Sequence, residues 1–597
     1  MSPFRAAWGS CLLEDGQVRF RLWAPSQQRV CVRLFDPDAT LEMACTDGGW
    51  HELTTRRAAA GSTYGFVLQD GSTVADPASA FQPAGAAGRS EVIDFDRYQW
   101  ASAAWRGRPW QQCVLYELHV GAFTPEGTFR AAIGKLPHLV ALGITAIQLM
   151  PVAAFEGGHN WGYDGVSPYA PDASYGRPED LQAFIDAAHV AGLMVLLDVV
   201  YNHFGPEGNA MHHCAPEFFT ARHATPWGAS FSFEGETAVR QFFIENALHW
   251  LQHYQLDGLR LDAVHAILDD TQPHVIDELA TAVRQRFTQR EVHLVLENEH
   301  NESHRLARRD GKPVLFTAQW NDDIHHVLHT AATGEASGYY ADYVGDPGKL
   351  ARAVAEGFCY QGEYMNYRGA ARGEPSGSLP PVAFISFIQN HDQVGNRAFG
   401  DRLAATAPPD ALRAVAALYL LAPQIPMLFM GEEWAAAQPF PFFCDFHGEL
   451  GEAVTKGRRD EFARFPEFSD PAQRERIPDP TGAATFASAK LRWDDLAKPP
   501  HHAMLAWYSA ILSVRRQHIV PLLSGIVHGG EHQVLPSGAI QVRWRADRQG
   551  WLLLHANLQA APALVGPAPA GQVLWQEGQW SEQTLQAWSL TWMRVDS

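Results

Sequence analysis

Apolar residues along this chain change their spacing twice. Over the first hundred positions they alternate with polar ones in short runs, VRFRLWAP, RVCVRLFDP and YGFVLQDGS, which end at Pro25, Pro37 and the Asp70-Gly71 pair. Alternation with period two turns one face of a strand inward, and Pro and Gly punctuate the runs. The pattern predicts an antiparallel β-sandwich over residues 1–108, with ADPASAFQPAGAAGRS as a connector leading out of it.

From about residue 113 the rhythm becomes strand, helix, strand, helix. Runs such as LMVLLDVV are almost continuously apolar, as parallel strands covered on both faces should be. Eight such runs begin near Val114, Thr145, Leu193, Gly258, Val292, Phe316, Ala383 and Pro426. Helical segments separate several of them; RPEDLQAFIDAAHVAG, for example, is opened by Pro178 and stopped by Gly192. Strands alternating with helices or long loops predict a (β/α)8 barrel over residues 109–518, with HAMLAWYSAILSVRRQH as its last helix. AIQVRWRA and GWLLLHANL return to period two and predict a small β-domain over residues 519–597.

Composition narrows the function classes. The 597 residues carry 46 Lys+Arg against 66 Asp+Glu, a net charge of −20, without the basic stripe that nucleic acid or an anionic membrane requires. The seven cysteines are scattered with no C-x-x-C pair, which argues against a disulfide framework or a structural zinc site. MSPFRAAWGSCLLEDGQ has no apolar h-region after Arg5, so no secretory leader is expected. ALRAVAALYLLAPQIPMLFM is interrupted by Arg413, Pro423, Gln424 and Pro426, so no bilayer span is expected either, and the expected location is the cytoplasm. Nineteen tryptophans suit a large core first, and their flat faces also suit the stacking of sugar rings.

The chemistry stands at the ends of the apolar runs, where barrel enzymes place their working side chains. LMVLLDVVYNH ends the third run with Asp198, Asn202 and His203; GLRLDAVHA places Arg260 and Asp262 two apart on one face of the fourth. VHLVLENEHN ends the fifth with Glu297, the first side chain past the apolar run, and FISFIQNHDQVGN ends the seventh with Asn390, His391 and Asp392. Three acids ending separate buried strands are costly for stability alone. Paired carboxylates beside an arginine suit glycoside hydrolysis, in which one acid protonates the leaving oxygen and the other attacks the anomeric carbon.

These four segments, in this order, resemble the four motif regions of the α-amylase family, glycoside hydrolase family 13. Position by position, the resemblance implies Asp262 as nucleophile, Glu297 as general acid/base and Asp392 as the acid holding sugar hydroxyls at subsite −1. It implies Arg260 as the residue orienting the nucleophile, and His203 and His391 as hydroxyl binders at the same subsite. Tyr163 in GHNWGYDGV would be the aromatic platform, with Trp161 and Asp164 beside it among the substrate-binding residues, and Asp198 would be a structural acid.

The loops imply the substrate. RFRLWAP, NWGYDGVSPYAPDASYG, NHFGPEGN and above all QWNDDIHHVLH resemble the trehalose-releasing branch of that family. That resemblance implies cleavage of the α-1,4 bond next to the terminal trehalose of a maltooligosyl trehalose, giving trehalose and a maltooligosaccharide. It also implies a functional partner enzyme, a maltooligosyl trehalose synthase, and neither cofactor nor metal. Ala263-Val264-His265 stands where many amylases have a Lys-His pair, so His265, Glu299 and the loop after Trp320 are the candidates for gripping the trehalose side. His212 and His213 read as loop residues. An α-1,4-glucan branching enzyme, a debranching enzyme and a non-catalytic glucan-binding protein are the alternatives.

Overall fold

The computed structural model describes residues 6–225, 228–463, 465, 468–547 and 550–596; Arg5, part of the leader argument, lies outside them. Eight parallel strands close into a barrel: β1 (Leu115–Leu118), β2 (Ala146–Leu149), β3 (Met194–Val199), β4 (Gly258–Leu261), β5 (His293–Leu296), β6 (Ala318–Trp320), β7 (Phe384–Ser386) and β8 (Ile425–Phe429). Each starts within two residues of its predicted position. Closure is made by β8 pairing with β1, Leu115 opposite Met427.

Crossover helices cover the barrel: α1 (Leu136–Leu142), α2 (Pro178–Val190), α3 (Thr237–His253), α4 (Val275–Arg286), α5 (Asp322–Thr333), α6 (Pro409–Leu421) and α7 (Pro499–Val514). Helix α2 shows why these segments form where they do. Pro178 needs no backbone donor in the first turn, Asp180 accepts the Arg177 backbone N–H at 2.9 Å, and Gly192 takes the left-handed φ of 80° just past the end. Its apolar stripe of Leu181, Phe184, Ile185 and Ala188 is buried, each large side chain contributing roughly 1.5–3 kcal/mol. The last predicted helix is α7, and it packs on both α6 and α1, closing the ring.

The fifth crossover departs from the alternating scheme. Between β5 and β6 the chain makes a short 3-10 turn, Ser303–Leu306, and a small hairpin of Arg308–Arg309 with Lys312–Pro313. Asn, His, Arg and Asp crowd this segment, and no apolar stripe with helical spacing is present to bury.

Two antiparallel sheets precede the barrel, one of four strands and one of five, and the connector prediction is corrected there. Residues 75–82 are all buried, Asp76 accepts the Tyr64 hydroxyl at 2.6 Å, and the chain returns to the sheet as Ser90–Glu91. Small and apolar residues in that stretch allow close packing where a Pro/Gly-rich composition reads as a loose link. Trp8 joins these sheets to the barrel, its indole N–H donating to Ala238 O and its ring meeting Phe218 and Phe242. At the other end a five-stranded antiparallel sheet stacks Trp544 on Trp592, whose N–H donates to Ala417 of α6.

Candidate active site

Arg260 organises the rim. Parallel register sets it opposite Asp198 of β3, and period two turns its side chain to the same face as Asp262. The guanidinium is fully buried, with Nη1 2.7 Å from both Asp198 and Asp262 and Nη2 2.7 Å from Glu297, while Trp320 lies 4.1 Å from its centre. One cation therefore serves three acids delivered by three adjacent strands. The backbone completes the arrangement: Ala263 holds an unusual φ of 39°, and its N–H donates to Glu297 Oε2 at 2.8 Å.

Their surroundings push the two acids in opposite directions. Burial alone would lift Asp262, but Arg260 and the Asn202 amide, which donates at 3.0 Å, outweigh it and keep Asp262 below the ordinary carboxylate range. Burial lifts Glu297 well above its ordinary value, and the charges of Asp262, Asp392 and Asp322 add to this against Arg260. Both carboxyls meet the same guanidinium, Asp262 at Nη1 and Glu297 at Nη2.

Glu299 is placed elsewhere. The strand stops at Leu296, with Glu297 directly after it and Glu299 two residues farther along. The Glu299 side chain is 56% exposed, with His265 at 3.6 Å and Arg368 at 3.5 Å. His265 and Glu299 are thus brought to each other.

On the opposite side, His391 donates from Nδ1 to Glu117 of β1 at 2.7 Å, and its Nε2 lies 3.3 Å from Asp392. Burial would lower this imidazole, but the charges of Asp392 and Glu117 prevail and raise it to about 9. Tyr163 stacks on His391 with centroids 5.0 Å apart, and its hydroxyl donates to Asp198 at 2.7 Å. His203 contacts Asn202 and the Tyr163 carbonyl, and burial lowers its pKa. Asp164 accepts from Asn160 at 2.7 Å. Trp161 is buried, its N–H donating to Pro441 and its ring edge-on to His391, so it braces the imidazole.

Glu117 and Asn202 are the contributors that sequence reasoning passed over in this role. The signal for Glu117 was present, since VLYELHVG is an apolar run with one acid inside it, the pattern used to single out Asp262. His212 lies on a helical turn, Met211–Cys214, and stacks on Phe219. Among the described residues His223, Glu234 and Asp270 gather at metal-ligand distances, but Arg222 pairs with both acids and already supplies the cation there.

Asp392 opens onto a cleft of about 590 Å³ lined also by Tyr339, Tyr340, Tyr367 and Arg397. A hollow of about 620 Å³ lies over Lys456 and Arg459 and contains none of the strand-end acids. Convergent carboxylates, rather than volume, mark the site.

Comparison with known proteins agrees with this geometry. The alpha-amylase catalytic-domain family matches residues 83–225, and a domain family of unknown function matches residues 528–592. Malto-oligosyltrehalose trehalohydrolase of Deinococcus radiodurans is 42% identical over 542 residues, 89% of this chain and 86% of its own length. The protein of the same name from Saccharolobus solfataricus is 39% identical, covering 86% of this chain and 87% of its own. The chain belongs to the malto-oligosyltrehalose trehalohydrolase family. A crystal structure of a Salmonella typhimurium protein assigned, provisionally, to the alpha amylases superposes with a TM-score of 0.94 at 45% identity over the whole of both chains. The barrel with its flanking β-sheets is therefore the architecture of the family's fold.

Proposed function

We propose that this chain is a retaining glycoside hydrolase that cleaves the α-1,4 bond next to the terminal trehalose of maltooligosyl trehalose, releasing trehalose and a maltooligosaccharide. The observation that carries the chemistry is the Arg260-bridged pair of acids, one pushed toward the ionised form and the other toward the protonated form. Retention needs carboxyls about 5–5.5 Å apart, whereas inversion needs about 6.5–9.5 Å so that a water fits between them. Arg260 holds one oxygen of each acid at 2.7 Å, from the two neighbouring nitrogens of one guanidinium, which supports the shorter spacing.

In this reading Asp262 attacks the anomeric carbon while Glu297 gives its proton to the departing glycosidic oxygen. Glu297, then ionised, takes a proton from water, and that water displaces Asp262 from the glycosyl-enzyme. Asp392 and the His391 imidazolium hold hydroxyls of the reacting glucose, and Tyr163 lies under its ring. Substrate choice rests on the relatives' shared name and their cover of most of both chains.

A maltooligosyl trehalose synthase would supply the substrate. The seven scattered cysteines, with no C-x-x-C pair, support the cytoplasmic location expected from the sequence. The test is product analysis on maltotriosyl trehalose and maltopentaose. We expect at least tenfold higher kcat/KM on the first, with trehalose released and maltotriose appearing first as the α-anomer. Equal rates, or branching of amylose without trehalose release, would refute the reading. Asp262→Asn should remove nearly all turnover without unfolding the chain, because the nucleophile is lost at constant side-chain volume.

A further inference from the structure

Among the described residues, every other tryptophan has an aromatic or cationic partner for its ring, whereas Trp588 has neither, and its indole N–H reaches no acceptor. Its backbone is unusual too. The φ of 52° is left-handed, which a bulky side chain rarely adopts, and the backbone N–H donates to Gln559 O at 3.1 Å. Strain of this kind persists only where the surrounding structure fixes it, and it gathers at sites that hold a ligand.

Trp588 lines a hollow of about 570 Å³ between the barrel and the C-terminal sheet, a volume typical of small-molecule sites. Val327 of α5 and Leu350 of the helix Pro347–Glu356 stand on the barrel side, and Ile540 stands on the side of the sheet. The two sides are fixed to each other. The Gly529 and Gly530 N–H groups donate to Gly377 O and Ala355 O at 2.9 and 2.8 Å, and the Trp544 indole donates to Ala355 O as well. The hollow shares no lining residue with the cleft at Asp392. Helix α5 begins at the rim, directly after β6, and the last turn of the helix, which lines the hollow, stands about 15 Å farther along its axis.

Gln559 and Asp346 add polar atoms with capacity to spare. Gln559 makes one long bond, from Nε2 to Ser537 O at 3.3 Å, and none at Oε1. Asp346 Oδ1 accepts two backbone N–H groups, which leaves Oδ2 with only the Lys349 ammonium 3.7 Å away. No Arg, Lys or His is among the described residues lining the hollow, so nothing there recognises an anion. An aromatic face with a free N–H, a carboxamide and a carboxylate oxygen on apolar walls match a neutral ring, apolar on its faces and hydroxylated at its edge. We propose that this hollow is a second glucan site, apart from the strand-end acids, which binds a maltooligosaccharide with one glucose ring on Trp588 and its hydroxyls on Gln559 and Asp346.

The ligand class rests on the reading of this chain as a glucan-cleaving enzyme. Calorimetry with maltoheptaose on Asp262→Asn, which leaves the sugar uncut, should show two sites per chain, and one site once Trp588→Gly is added. Glycine adopts the left-handed φ without strain, so the ring is removed while the backbone stays as it is. Gln559→Ala, at an exposed position, should raise the Kd of the same site at least tenfold, and it supplies the decisive variant should Trp588→Gly fail to fold. With Asp262 restored, both substitutions should leave kcat/KM on maltotriosyl trehalose within twofold of wild type. A merely structural Trp588 would lower thermal stability and leave the number of bound sugars unchanged. Unchanged maltoheptaose binding in both variants, or a parallel loss of kcat/KM, would overturn the second site. A wild type that releases no trehalose would overturn the proposed function instead, while maltoheptaose binding that depends on Trp588 would leave this site in place.

Discussion

Replacing Glu117 by Gln tests how the subsite acid is held. The substitution keeps the side chain's volume and its acceptor for the His391 backbone N–H, but removes the charge 2.7 Å from the imidazole. His391 is raised to about 9 against burial, which would lower it. Relative to an ordinary histidine near 6.5, the imidazolium is favoured by about 3 kcal/mol. One opposite charge at this range is worth about 1–3 pKa units, so Glu117→Gln should bring His391 back toward neutrality. Because the folded pKa is raised, the stabilisation is complete below about pH 6.5 and is lost as pH rises through about 9. The thermal-stability gap between wild type and Glu117→Gln should therefore be widest near pH 6 and narrow toward pH 9.5. Imidazole NMR read directly on His391 should show wild type titrating near 9 and the variant at least one unit lower. With the imidazolium gone, kcat/KM should fall at neutral pH and fall further as pH rises. An unmoved His391 titration, or a stability gap that widens with pH, would refute the electrostatic argument.

The alkaline limb of kcat/KM should report the protonated Glu297: in Glu297→Gln it should vanish at a very low residual rate, while Glu299→Gln keeps the wild-type profile. The reverse outcome would move the acid to Glu299. Tyr163→Ala should lower kcat/KM at least tenfold, since stacking is worth about 1–1.5 kcal/mol beyond buried area and the Asp198 hydrogen bond is lost as well. Tyr163→Phe, which keeps the ring, should recover most of that loss; an unchanged value in Tyr163→Ala would place this tyrosine outside the sugar contact. Arg260→Met should cost about 3–5 kcal/mol of stability, measured by denaturant unfolding, because the Asp198, Asp262 and Glu297 carboxyls lose their shared cation.

The eight barrel strands and the acids at their ends could be read directly from the chain. Burial on both faces forces apolar runs of strand length, and a polar residue ending such a run stands at the rim whatever its distant neighbours are. The rim positions of Asp262, Glu297 and Asp392 were visible for that reason. What no local pattern contains is which rim positions meet. The 274-residue separation of Glu117 and His391 is bridged only because β1 closes the barrel beside β8, next to β7. The burial of residues 75–82 and the exposed pairing of Glu299 with His265 are likewise decided by packing partners remote in sequence. Protonation follows the same division. A carboxylate's identity is written in the sequence, but its pKa depends on the summed charges and lost water around it, and the barrel's closure brings those charges together.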